Sequence, residues 1–313
     1  MIWKIAEHIQ DSFDSRSYFG FTPTNRQYSS NAKEYQTRFR HFKNSLKRHR
    51  FLNLARKTEE DALFGVTQFA DLSPEEFKEL YLKTQYVLSQ SNGCQRLASQ
   101  DTTNEPVAKH WDWRDHGIVT PVKNQKGCGA CWAFSAVETI ESMNALKHNK
   151  LQELSVQQII DCAEGNYGCD GGYPLLTVDW LMKNKVFVAP ESVYPLTDTQ
   201  KECSLSRPES GVLVAACNCS NFVNSELNIV KSIHNHGPVA VIVDAKLWQD
   251  YLGGIIRHHC YYNPSHINHA VEIVGYNYAS KFFFFFFCKR AFGQISRGLI
   301  SIIHGVRVGQ FGF

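Results

Sequence analysis

Between residue 31 and about Leu82, apolar and charged positions alternate with a helical period. Tyr35, Phe39, Phe42 and Leu46 fall at spacings of four, three and four, a stripe that predicts an amphipathic helix. Glu34 and Arg38 stand one turn apart and can pair, whereas the basic run from Lys47 to Arg50 reads as solvated surface. Asp71-Leu-Ser73-Pro-Glu-Glu76 announces a second helix: Ser73 can cap it, Pro74 suits its first turn and Glu76 completes a capping box. From Lys83 to about residue 105 Ser, Gln, Asn and Thr dominate and the period is lost. That composition predicts an exposed, cleavable linker.

From Trp111 onward the chain is rich in glycine, cysteine and aromatic residues. Ala133, Val137, Ile140 and Met143 recur at four, three and three, predicting a helix that starts at Cys131 and buries one face. Pro238-Val-Ala-Val-Ile-Val243 and Ala270-Val-Glu-Ile-Val274 are short β-branched runs of strand type. Helices first and strands second predict an α+β arrangement, with a helical half against a sheet half and a cleft between them.

Composition narrows the partners more than the fold. A formal net charge of +3 over 313 residues is too mild for a nucleic-acid groove, and no apolar run is long enough to predict a membrane span. Ten cysteines, including a cluster from Cys128 to Cys203, point to disulfides formed in an oxidising compartment, and Asn218-Cys-Ser220 fits a glycosylation sequon. Glu7 and His8 interrupt the apolar core that a signal peptide needs, so residues 1–30 receive no assignment.

The chemistry concentrates in Gln125-Lys-Gly-Cys128-Gly-Ala-Cys131-Trp. A thiol at a helix N-terminus feels the positive end of the macrodipole, which favours the nucleophilic thiolate. Asn268-His269-Ala270 places a histidine at the entrance to a strand. Such a histidine is more often structural, but facing Cys131 it would hold the thiolate as imidazolium and later protonate an amine leaving group. Gln125 would join the Cys131 backbone N–H in binding a developing oxyanion. The cysteines lack paired zinc-knuckle spacing, so neither a metal nor another cofactor is expected.

Gln125-x5-Cys131-Trp-Ala-Phe-Ser, Cys169-Asp-Gly-Gly172 and Asn268-His269-Ala-Val together resemble the papain-like cysteine proteases, in their order and separations. The first zone is similar to that family's inhibitory propeptide through Glu34, Arg38, Phe42 and Asn53, then Gly65, Phe69 and Asp71. Ser45 and His49 depart from the helix motif, where asparagine and isoleucine are usual, and Thr67 replaces an asparagine. Ser45-Leu-Lys-Arg-His-Arg50, Leu154-Ser-Val-Gln-Gln158 and Trp248-Gln-Asp-Tyr-Leu-Gly-Gly-Ile-Ile256 narrow the resemblance to one cathepsin branch.

The resemblance implies a two-lobe papain-like fold divided into a propeptide (31–82), a linker (83–105) and a peptidase domain (106–278). It implies disulfides Cys128 with Cys169 and Cys162 with Cys203, each worth about 3 kcal/mol. Gly171 and Gly172 would bind an extended substrate backbone. Tyr173, Pro174, Ile242 and Ala270, beside Asn268, would line an apolar pocket for the residue two before the scissile bond. Partners are then protein or peptide substrates and the chain's own propeptide, on a monomer that is lysosomal or extracellular.

After Tyr278 the resemblance stops. No Asn-Ser-Trp-Gly motif supplies an asparagine to orient the imidazole, and six phenylalanines run from Phe282 to Phe287. Residues 279–313 are expected to be non-homologous, as translation of a thymine-rich intron would be, and Cys260 loses its usual C-terminal partner, leaving Cys217, Cys219 and Cys288 as candidates. An incomplete sheet half and weak or absent endopeptidase activity follow, with a propeptide-type inhibitor or dead decoy as the alternative.

Overall fold

Helix α1 (Ala32–Asn53) forms on the predicted stripe. Its Phe42 is fully buried beside Ala70, with Tyr35, Phe39 and Leu46 packed around them. The computed structural model describes residues 32–84, 95–96, 106–197, 199–204, 211–219, 226–256, 267–280, 283–289 and 299–301. The chain divides into two compact units, Met1–Phe77 with Lys246–Gly254, and Lys78–Ala245 with Ile255–Phe313.

In the first unit the capping box closes as predicted at α2 (Pro74–Tyr81): the Ser73 N–H donates to Glu76 at 2.8 Å and the Glu76 N–H to Ser73 Oγ at 3.1 Å. Arg38 lies 3.9 Å from Glu34 and donates to Glu76 at 2.7 Å, tying the two helices together. Asn53 makes a reciprocal pair with Phe64, donating to its carbonyl at 2.9 Å and accepting from its N–H at 3.0 Å. Leu63–Phe64 pairs antiparallel with Tyr251–Gly253, and the Gln249 side-chain amide donates to the carbonyls of Phe69 and Leu72. The basic run is not all solvated surface. Arg48 and His49 turn inward onto Asp250, because a carboxylate only 2% exposed there needs donors.

The core of the second unit is helix α3 (Cys131–His148), buried around most of its circumference rather than on one face. Its polar residues survive burial by pairing: Glu141 accepts from Lys123, Thr120 and the Leu154 N–H, and Ser135 Oγ donates to the Val271 carbonyl at 2.9 Å. Around it lie α4 (Val156–Cys162), capped by Ser155, α5 (Pro174–Asn184), with proline in its first turn, and α6 (Glu226–His236).

Among the described residues six strands form the main sheet: β1 (His110–Asp112), β2 (Val239–Val243), β3 (Ile255–Ile256), β4 (His269–Ser280), β5 (Phe283–Lys289) and β6 (Leu299–Ser301). β4 pairs antiparallel with β2 from His269↔Val243 to Ile273↔Val239, then with β1 from Gly275↔Asp112 to Asn277↔His110. Its other edge takes β5, followed by β6 and, in parallel, β3. The phenylalanine run is therefore laddered on both sides between Phe285 and Phe287. Both expected disulfides are present, Cys128–Cys169 and Cys162–Cys203. Cys217 is also disulfide-bonded. Cys260, residues 1–30 and most of the linker and tail lie outside the described residues.

Candidate active site

Cys131 is the first residue of α3 and is fully buried. Its surroundings are fixed by short-range ties: the Cys128–Cys169 disulfide, a Gly129 N–H donation to the Cys169 carbonyl at 3.0 Å, and Trp132 Nε1 donating to the Gly168 carbonyl at 3.1 Å. A Cβ on Gly172 would stand 2.7 Å from the Trp132 indole, so the Gly171-Gly172 turn sits against that ring only because it has no side chain there. Gly171 has φ +117°, a second reason for glycine at this point.

His269 opens β4 and is fully buried. Asn268 holds the strand entrance: its N–H donates to the Val243 carbonyl at 3.0 Å, its Nδ2 to Asp244 at 2.9 Å, and its Oδ1 accepts from the Ala245 N–H at 3.0 Å. β4 lies directly on α3, bonded at Val271 by Ser135 and at Glu272 by Ser142 Oγ at 2.8 Å.

The stretch just after α2 runs through this site. The Thr84 hydroxyl is 2.9 Å from the Cys131 thiol, the Thr84 N–H donates to the Asn268 carbonyl at 3.2 Å, and Thr84 bridges Gly172 in parallel. Lys83 lies over Gly129 and Gly171, and its ammonium reaches Asp170 at 2.9 Å. Gln125 Nε2 donates to the Tyr81 carbonyl at 3.2 Å and to the Cys128 carbonyl at 3.1 Å. Lys83 and Thr84, expected as exposed linker, are instead held between the thiol and the histidine strand.

Burial pushes the Cys131 thiol up, and the Thr84 hydroxyl with backbone groups of Ala270, Trp132 and Lys83 draws it only partly back. Burial thus works against the thiolate that the helix dipole favours. Asp170 shifts the other way, held below the usual carboxylate range by Lys83.

Gln125, Cys131, Gly171, Gly172, Asn268 and Ala270 thus gather around Tyr81–Thr84, with His269 between the last two in sequence. Tyr173 and Ile242 belong to one core cluster with Trp132 and Ala133, Ile242 is the register partner of Ala270, and Pro174 opens α5. Sequence reasoning missed Thr84, Lys83 and Asp170 as site residues. Only the closeness of Lys83 and Thr84 to the end of α2 could have signalled their role.

Comparison with known proteins decides the family. Residues 107–293 match the papain family cysteine protease model. The chain belongs to that family. Residues 22–77 match the cathepsin propeptide inhibitor domain, so the protease carries a propeptide. It is similar to cathepsin O of Mus musculus, 42% identical over 234 residues covering 74% of each chain. Cathepsin O of Homo sapiens is also 42% identical, over 75% of this chain and 73% of its own. Among solved structures, the digestive procathepsin L2 proteinase of Tenebrio molitor larval midgut superposes with TM-score 0.82 at 25% identity, over 95% of this chain and 100% of its own. The stem bromelain precursor follows the same fold, with TM-score 0.76 at 29% identity over 92% of this chain and 93% of its own. Among the described residues no helix is long and apolar enough to cross a membrane.

Proposed function

We propose that this papain-family protease is a cathepsin O-like endopeptidase zymogen, with Cys131 as nucleophile and His269 as its acid and base. The observation that carries the reading is the convergence of Thr84 on Cys131, Gly172 and Asn268, which sets a peptide segment between thiol and histidine strand. Once that segment leaves, water and substrate reach the thiol, and His269 takes its proton. The thiolate attacks the scissile carbonyl carbon, and the resulting oxyanion accepts from Gln125 Nε2 and the Cys131 N–H. In the resting chain the Tyr81 carbonyl occupies the Gln125 donor. Collapse of the intermediate breaks the C–N bond as the imidazolium protonates the departing amine. Water, deprotonated by His269, then hydrolyses the thioester and releases the acid.

Gly171 and Gly172 would bind substrate backbone, and Tyr173, Pro174, Ile242 and Ala270 an apolar side chain. The sequence lacks the Asn-Ser-Trp-Gly asparagine, so turnover is expected to be slow, since a triad without its orienting member keeps only part of its rate. A lysosomal or extracellular location is the reading that goes with the propeptide and the disulfides. The test is an active-site titration after added protease has removed the N-terminal segment. An epoxide inhibitor labelling Cys131 stoichiometrically, with slow hydrolysis of a peptide bearing an apolar residue two before the cleaved bond, supports the reading. Absence of both leaves the inhibitor or decoy alternative.

A further inference from the structure

Asp250 is a buried carboxylate in the first unit that two basic side chains share. Its side chain is 2% exposed, yet both oxygens are engaged: Arg48 Nε reaches Oδ2, and Arg48 Nη2 and His49 Nε2 reach Oδ1, each at 2.8 Å. The fork of a guanidinium matches a carboxylate in geometry as well as charge. Other contacts around it are of a different kind. The Gly65 N–H donates to the Asp250 carbonyl at 2.8 Å, and the Gln249 amide donates to the carbonyls of Phe69 and Leu72. Those bonds read backbone, which any chain following the same path offers. Asp250 reads side chains.

We infer that segment 246–254 is a charge-reading docking surface for a propeptide helix carrying adjacent arginine and histidine, with Asp250 as its selectivity determinant. The inference rests on the propeptide reading above and names what decides which propeptide is accepted. A helix with an apolar residue at the position of His49, where the family motif usually has isoleucine, removes one donor from a carboxylate that water cannot reach. A helix lacking both Arg48 and His49 strands that charge, and an uncompensated buried charge is strongly disfavoured. The surface thus selects the chain's own α1, in the same molecule or from a second copy, over propeptides of the usual family pattern.

The test uses the full chain, nicked by added protease between residues 85 and 105, with retention of the N-terminal fragment followed by size-exclusion at falling concentration. The wild type and Glu75→Gln, an exposed control with the same charge change, should retain the fragment equally. Asp250→Asn should weaken retention at least about tenfold, with His49→Ile and Arg48→Lys in between. Circular dichroism and thermal unfolding check that each variant is folded, and the two helix variants decide the matter if Asp250→Asn is not. Loss of the fragment from the wild type would sink the propeptide reading itself. Equal retention by the wild type and folded Asp250→Asn, Arg48→Lys and His49→Ile would overturn the charge reading alone.

Discussion

The two walls of the candidate active site are built by different means. The cysteine wall is local: Gln125, Cys128, Cys131 and the Gly168–Gly172 turn are joined by a disulfide, two backbone-directed bonds and a glycine pressed on Trp132. The histidine wall is a strand end, held by the Asn268 clasp and by the ladders along β4. A wall cross-linked within about fifty residues keeps its geometry by itself. One that depends on a sheet keeps it only while the neighbouring strands are in place, and here β5 and β6 come from the region beyond Tyr278. We therefore expect damage far from Cys131 to act through His269.

The largest effects come from breaking either wall at its centre. Cys131→Ala should abolish both epoxide labelling and peptide hydrolysis. His269→Ala should leave the thiol titratable by a small alkylating reagent at alkaline pH, where it ionises without the imidazole, but lower hydrolysis by roughly 10²- to 10⁴-fold, as loss of a general acid–base group does. A titration beside a rate assay separates the two. Equal loss of labelling in both would show that the histidine wall also maintains the fold around the thiol.

Next comes the dependence on β5. Phe286 sits inside the ladder, opposite Tyr276 on one side and Ile300 on the other. Phe286→Pro removes an N–H from a strand paired on both edges, where proline is scarcely tolerated. Soluble yield and hydrolysis should both fall several-fold, whereas Gly172→Ala, whose new Cβ meets the Trp132 indole, should lower hydrolysis with less effect on yield. A Phe286→Pro protein with full yield and rate would show that the histidine wall does not need the strands beyond Tyr278.

The same contrast explains what the sequence made legible. Cys131, Gln125 and the glycine turn lie in short motifs whose residue types are dictated by local geometry, and the Ser73–Glu76 capping box needs only its own four residues. The Arg48–Asp250 contact spans 202 positions, so no window around Arg48 distinguishes it from a solvated base. Likewise α3 looked one-sided because Ser135, Glu138, Thr139 and Ser142 count as polar in any periodicity, although nearly all of the helix is buried. Burial of polar residues depends on distant partners such as Glu272 and Lys123, which the pattern along one helix does not contain.

Acid should loosen the first unit later than ordinary carboxylate chemistry suggests. Burial alone would raise Asp250, but Arg48 and His49 outweigh it and hold the group below its usual range. Its folded value lies below its unfolded one, so its stabilising contribution is complete above about pH 4 and is lost as pH falls through the lower folded value. Amide exchange along α1 should stay slow at pH 5 in the wild type and rise only in stronger acid. In Asp250→Asn it should be faster at pH 5 and nearly flat below. Matching wild-type and variant profiles would remove Asp250 from the account of acid opening.

The smallest effect is expected at Lys83 and Asp170, the contact that joins the inserted segment to the cysteine wall. The pair is well formed at 2.9 Å, but the Asp170 side chain is 83% exposed, so solvent and salt screen it. Thr84, by contrast, is 4% exposed and bonded to groups of both walls. Lys83→Ala should speed labelling of Cys131 in the uncleaved chain by about twofold at most, and high salt should erase the difference. Thr84→Val removes the hydroxyl from the thiol while filling nearly the same volume, and should speed labelling more, without salt dependence. If the lysine change proved the larger of the two, the exposed ion pair rather than the buried hydroxyl would be what keeps the thiol covered.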